Sequence, residues 1–113
     1  MAVFPYEIQY YITREGKKPF QVWLRNLKDV MGRAKIRIRL DRARLGSLGD
    51  YRSVGMGVYE LRVDYGPGYR IYFAIVDKRL LLLLLGGDKS SQQKDIATAR
   101  EYWQDYNERN THG

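Results

Sequence analysis

The chain has 113 residues, no cysteine and one histidine, and its 20 Lys+Arg outnumber 13 Asp+Glu for a net charge of +7. That length holds one core rather than two, and without thiols there are no disulfides or thiolate metal sites. His112 lies in a polar tail, so neither a histidine zinc site nor a catalytic triad is expected, and no metal or cofactor is implied.

Positive surplus favours an anionic partner, nucleic acid or an acidic protein, although many small basic domains bind nothing anionic. The N-terminal segment lacks the basic-then-apolar order of a signal peptide. The longest apolar run covers residues 80–85, far short of the roughly 20 residues a membrane helix needs. The expectation is a soluble cytoplasmic protein without membrane contact, one domain over 1–108 and a polar tail over 109–113.

No repeat or low-complexity linker interrupts the chain. Residues 6–12 (YEIQYYI) are β-rich and weakly alternating, a first strand. Pro19 suits the first turn of a short helix over 19–27. Asp29 can cap a longer helix over 30–45, which Gly46 ends. Residues 47–57 are turn-rich and read as a loop. Strands follow at 58–64, 69–76 and 80–85, joined by connections short enough for hairpins. The six-leucine strand has no polar side and should be central, covered on both faces. Gly86-Gly87-Asp88-Lys89 then turns into a last helix near 92–108, with Ser90 and Gln93 as a capping box and Ile96, Ala99, Trp103 and Tyr106 as its apolar stripe. The order β-α-α-β-β-β-α predicts an α+β fold, an antiparallel sheet packed against two N-terminal helices with a C-terminal helix.

The long helix has two apolar stripes at 100° per residue. Leu27, Val30, Met31, Ala34, Ile38 and Leu45 share one face, and Ile36, Leu40 and Ala43 the other. Arg33, Arg37 and Arg44 run along one flank, Lys35, Arg39 and Arg42 along the other. Two apolar stripes predict packing on two sides, by the sheet and by the preceding helix or a partner chain. The basic flanks are explained by solvation alone for most of these residues.

Chemistry could sit on the first hairpin of the meander. Burying Tyr59, Leu61 and Val63 with Tyr69, Ile71 and Phe73 turns Glu60, Arg62, Arg70 and Tyr72 to the opposite face. Arg70 then lies across from Arg62 or from Asp64. Opposed arginines repel and favour an anion between them. The other pairing gives a neutral ladder, Arg70 with Asp64 and Arg62 with Glu60. Lys89 precedes a helix N-terminus, a position that favours phosphate, and Gly86-Gly87 would let backbone approach a ligand, or simply make a turn. Tyrosines near the arginines could stack on bases or simply pack.

Three segments, Gly57-Val-Tyr-Glu-Leu-Arg62, Gly68-Tyr-Arg-Ile-Tyr-Phe73 and Leu82-Leu-Leu-Leu-Gly-Gly-Asp-Lys89, together with the helix Asp95-Ile-Ala-Thr-Ala-Arg-Glu-Tyr-Trp103, resemble the RelE/ParE superfamily, and closely its HigB-like branch of addiction module killer proteins. The resemblance implies a toxin that cleaves mRNA on the ribosome, neutralised by an antitoxin encoded beside it. It places Arg62, Arg70 and Lys89 at catalytic positions, with Glu60 as the carboxylate able to take a 2′-hydroxyl proton. Arg52, Tyr72, Lys35, Arg39 and Arg42 are the expected RNA contacts. The implied reaction uses no metal or cofactor: the 2′-hydroxyl attacks its own phosphate and leaves a 2′,3′-cyclic end. Glu60 stands where RelE has a lysine, and Asp95 and Ile96 stand where it has a tyrosine. The same fold also serves ParE-like gyrase poisons and is open to non-catalytic, antitoxin-binding homologues.

Overall fold

The computed structural model describes residues 5–110. Five strands and three helices follow one another: β1 (Glu7–Tyr10), α1 (Pro19–Asn26), α2 (Val30–Arg44), β2 (Tyr51–Ser53), β3 (Tyr59–Val63), β4 (Tyr69–Val76), β5 (Leu80–Asp88) and α3 (Gln92–Asn110), the last preceded by a 3-10 turn over Lys89–Ser91. The sheet runs β1-β5-β4-β3-β2. The fold is α+β, as the sequence indicates, but the sheet is mixed. β1 lies parallel to β5, whereas the other neighbours are antiparallel. Alternation identifies a strand without fixing its direction; α1 and α2 carry the chain to the far edge, where β2 runs opposite to β1, and three reversals then bring β5 back parallel to it.

The leucine strand is central. Leu81 and Leu83 enter the core beneath α1 and α2, with Phe20, Leu24, Ile36, Leu61 and Ile71. Leu82 and Leu84 enter the core beneath α3, with Tyr72, Ala74, Ile96 and Ala99. The strand continues three residues past its expected end at Leu85, into the turn expected over 86–89. A register shift opposite Tyr72 and Phe73 leaves Leu84 without a cross-strand partner. This bulge puts Leu84 and Leu85 against the same core and turns Gly86 towards α1 and Gly87 towards α3. A Cβ on Gly86 would stand 2.1 Å from the Trp23 ring, and one on Gly87 would stand 1.9 Å from Asp95 Oδ2. The two glycines therefore admit helices, not a ligand.

Both helix starts in the N-terminal half are as expected. Pro19 occupies the first turn of α1, and the Asp29 carboxylate accepts from Gly32 N at 2.9 Å. The last cap differs. Asp88, not Ser90, caps the 3-10 turn, accepting from Ser90 N at 2.8 Å with Ser91 reciprocating, because the longer β5 brings the chain reversal to Lys89. Residues 51–53 form an edge strand rather than loop, too short for periodicity to reveal. The tail expected at 109–113 is helical through Asn110, and residues 111–113 lie outside the described residues. Within residues 5–110 no helix is long and apolar enough to cross a membrane.

α2 is packed on one side only. Ile36, Leu40 and Ala43 meet the core, and Leu27 joins them from the preceding turn. Val30, Met31, Ile38 and Leu45, between 49 % and 69 % exposed, are uncovered. The second side is not filled by α1, which packs against β5 and β1 instead.

Gly86→Ala should destabilise the fold by about 1–3 kcal/mol, the usual range for forcing an extra methyl into a filled core. Denaturant titration measures it; an unchanged midpoint would mean that Trp23 does not pack on β5 as described.

Candidate functional site

Glu60 is the hub of the sheet face that α3 leaves uncovered at one end. It is fully buried, and five side chains surround its carboxylate. Arg52, its cross-strand neighbour on β2, donates from Nε to Oε1 at 3.1 Å. Tyr72 donates its hydroxyl to Oε2 at 3.0 Å, and Gln92 at the start of α3 donates to the same oxygen at 2.9 Å. Arg62 and Arg70 each hold Nε 3.6 Å from one carboxylate oxygen. Burial pushes the Glu60 carboxyl up, but the hydrogen bonds from Gln92, Arg52 and Tyr72 and the charge of Arg52 outweigh it. The net shift is downward from the ordinary carboxylate value.

Arg62 and Arg70 stand directly opposite one another across β3 and β4. Of the two pairings open to the sequence, the like-charged one is realised, and the anion that relieves it is Glu60. At 3.6 Å the contact is an ion pair rather than a hydrogen bond. Both Nε atoms are buried without a hydrogen-bond partner. The Arg70 side chain is 10 % exposed, and its Nη1 donates to Gly68 O at 2.8 Å. The Arg62 side chain is 40 % exposed.

The two arginines open onto a cleft of about 460 Å³ bordered by Lys89, Asp50, Asp64 and the β3–β4 turn. Gly68 in that turn has φ +80°, and a Cβ there would come 3.2 Å from Arg70 Nη1 and 3.6 Å from Lys89 Cβ. Glycine thus allows the turn to close against both cations. Tyr69, beside Arg70, donates its hydroxyl to Asp29 at 2.7 Å, and burial together with that bond raises its pKa to about 12.

The structure brings together Arg52, Glu60, Arg62, Arg70 and Lys89 and separates the rest of the expected set. Tyr72 is fully buried with its hydroxyl on Glu60, so its ring is closed to base stacking. Lys35, Arg39 and Arg42 belong to α2, on the other side of the sheet. Arg39 donates to Arg62 O at 2.6 Å and Leu48 O at 2.8 Å and is a structural tie. Lys35 Nζ lies 5.1 Å from the Tyr65 ring centroid, and Arg42 lines a shallow groove with Ile38 and Asp64. Glu60 does not suit the role of proton acceptor: a general base must reach the proton it removes, and this carboxylate is sealed beneath its donors. Gln92 and Asp50 were not legible as site residues, since nothing in their spacing distinguishes them from surface polar positions, and Asp64, expected only as a ladder partner of Arg70, lines the cleft instead. Asp95, pushed up by burial and held by Ser91 Oγ at 2.5 Å, packs over Gly87.

The fold and site define a small α+β domain whose mixed sheet carries an arginine cleft organised by a buried glutamate. No family model matches the chain. An uncharacterized protein of Haemophilus influenzae is 47 % identical over 81 residues, spanning 72 % of this chain and 82 % of that protein, and the chain belongs to its family.

Because its folded pKa is depressed, Glu60 stabilises the fold above its unfolded value of about 4.5, and the contribution is lost as pH falls through the lower folded value. Glu60→Gln should cost roughly 3–5 kcal/mol near neutral pH, the scale of breaking a buried ion pair, and should flatten the loss of stability between about pH 5 and pH 3. Chemical denaturation across that range is the check; a variant with the wild-type acid slope would remove Glu60 from the account.

Proposed function

We propose that the chain is a RelE-like toxin of a toxin–antitoxin pair, an endoribonuclease that cuts mRNA on the ribosome. The observation that carries the reading is the pairing of Arg62 and Arg70 across a hairpin, on an open cleft bordered by Lys89. Fixed cations aimed at developing phosphoryl charge are commonly the largest catalytic term. The RNA 2′-hydroxyl attacks the adjacent phosphorus and passes its proton to Asp50 or Asp64, the carboxylates that line the cleft. The bond to the 5′-oxygen breaks, Lys89 donates the proton to that oxygen, and a 2′,3′-cyclic phosphate remains. Arg62 and Arg70 hold the non-bridging oxygens, and Glu60 sets the spacing of the two guanidinium groups. Orientation on the ribosome supplies much of the remaining rate. The partner in the cell is a small antitoxin encoded alongside.

A second reading is favoured by one specific observation: Glu60 already engages Arg52, Arg62 and Arg70. Arginines already engaged from within suit a gyrase-directed poison or a non-catalytic antitoxin-binding homologue.

Arg62→Ala separates the two readings. Arg62 is partly exposed and its ion pair contributes about 0–1 kcal/mol, so the variant should fold. Loss of one charge at the transition state should lower cleavage by about 10²–10³. Primer extension on translated mRNA after induction measures it. Cleavage that persists undiminished in the variant, or none by the wild type, ends the nuclease reading. Arg70 is too buried to serve in the same way: its side chain is 10 % exposed and also donates to Gly68 O, so its removal disturbs the turn as well as the cleft. Co-expression of the adjacent small open reading frame should restore growth and co-purify; failure of both would end the antitoxin reading.

A further inference from the structure

The uncovered side of α2 has a composition that ordinary solvation does not account for. Val30, Met31, Ala34, Ile38 and Leu45 fall within 100° of arc around the helix axis. All five are exposed, a contiguous apolar crest on a helix that has already buried Ile36 and Ala43 on its inner side. Large apolar side chains grouped in this way on a small domain mark a contact surface. The crest runs about 22 Å along a helix of 15 residues.

Charge decides what covers it. α2 carries Arg33, Lys35, Arg37, Arg39, Arg42 and Arg44 against Asp41, six cations to one anion and a net +5. Arg39 is turned inward onto carbonyl groups. Along one side of the crest a groove of about 630 Å³ runs between α2, α1 and β1, with Arg25, Arg33, Arg37 and Arg44 against the single acid Asp41 around an apolar floor that includes Leu24 and Leu40. Lys35 and Arg42 flank the other side. A second copy of the chain would set these cations against their own kind. RNA would match the charge but not the crest, which offers aliphatic and thioether side chains and no ring for a base to stack on.

We infer that the outer side of α2 docks an acidic amphipathic helix of a partner protein, its apolar stripe on Val30, Met31, Ile38 and Leu45 and its carboxylates over Arg37 and Arg42. The arginine cleft lies on the opposite face of the sheet, so the two ligands bind without competing. The inference does not require the nuclease reading: the α2 surface stands even where Arg62 proves not to be catalytic.

The test uses the full chain and a labelled synthetic peptide of about five helical turns, with leucines at i, i+3, i+4 and i+7 and glutamates elsewhere, read by fluorescence anisotropy. A counterpart with lysine for each glutamate is the charge control. The acidic peptide should bind, the lysine peptide at least tenfold more weakly. Ile38→Ser and Arg37→Glu, both at exposed positions, should each weaken the acidic peptide at least tenfold. Arg62→Ala should leave its binding unchanged, and a single-stranded RNA of about ten nucleotides should not displace it. The proposal falls if the acidic peptide fails to bind, or binds Ile38→Ser as well as wild type, which would mean charge alone. Displacement by RNA would assign the surface to nucleic acid. Self-association abolished by Ile38→Ser would assign it to a second copy.

Discussion

Burying Glu60 obliges the surrounding chain to supply its partners, because a carboxylate taken out of water without them costs several kcal/mol. The partners come from four different elements: Arg52 from β2, Arg62 from β3, Arg70 and Tyr72 from β4, and Gln92 from α3. A three-residue edge strand has little reason to stay on a sheet through its own ladder alone. The Arg52 contact gives β2 one. The first turn of α3 is likewise pinned to the sheet by Gln92, ahead of the point where Ile96 and Ala99 begin to pack. One side chain therefore coordinates the edge of the sheet, its central hairpin and the last helix.

The same carboxylate explains how two arginines can face each other. Opposed like charges in a sheet cost a few tenths of a kcal/mol to about 1 kcal/mol, and Glu60 reaches both Nε atoms at 3.6 Å. That distance leaves the attraction electrostatic and both N–H groups without an acceptor. Three arginines around one carboxylate leave two positive charges uncompensated within the cluster. Arg70 is largely withdrawn from solvent while Arg52 and Arg62 are partly open, so the surplus is presented through these two, and at the mouth of the cleft through Arg62. Bidentate guanidinium geometry then suits a phosphate better than an ammonium would.

Much of this was written in the sequence, and the exceptions have physical causes. The period-two pattern of β3 and β4 correctly sorted Glu60, Arg62, Arg70 and Tyr72 onto one face, and the arithmetic of pairing reduced Arg70 to two partners. Choosing between them needed the turn geometry. Exposure was not readable from alternation: a polar residue on the outward side of a strand looks solvated, and nothing marked the far end of that face as closed by α3 over Tyr72. The bulge at Leu84 was invisible in a run of identical leucines, and with it the true roles of Gly86 and Gly87. For α2 the two apolar stripes were both real, but periodicity states only that a stripe exists. It does not say whether this chain covers it.

The cations of α2 divide by what they face. Arg39 crosses to the carbonyl of Arg62, and the cap residue Asp29 accepts the hydroxyl of Tyr69, the neighbour of Arg70. These two contacts fasten the helix to the strands that carry the opposed arginines, one to the backbone of β3 and one to a side chain of β4. They fix the relative height of helix and hairpin, a requirement that a hydrophobic interface of Ile36, Leu40 and Ala43 would leave loosely specified, since apolar contact is non-directional. Arg37 and Arg42 have no comparable part in holding the fold. Their stems lie beside an apolar crest, where long cationic side chains would ordinarily snorkel over and shield it, yet Ile38 between them is still about half exposed. Charge that neither ties the fold nor covers its apolar neighbours leaves the outer side of α2 both sticky and basic, a combination that a domain standing alone has no structural reason to keep.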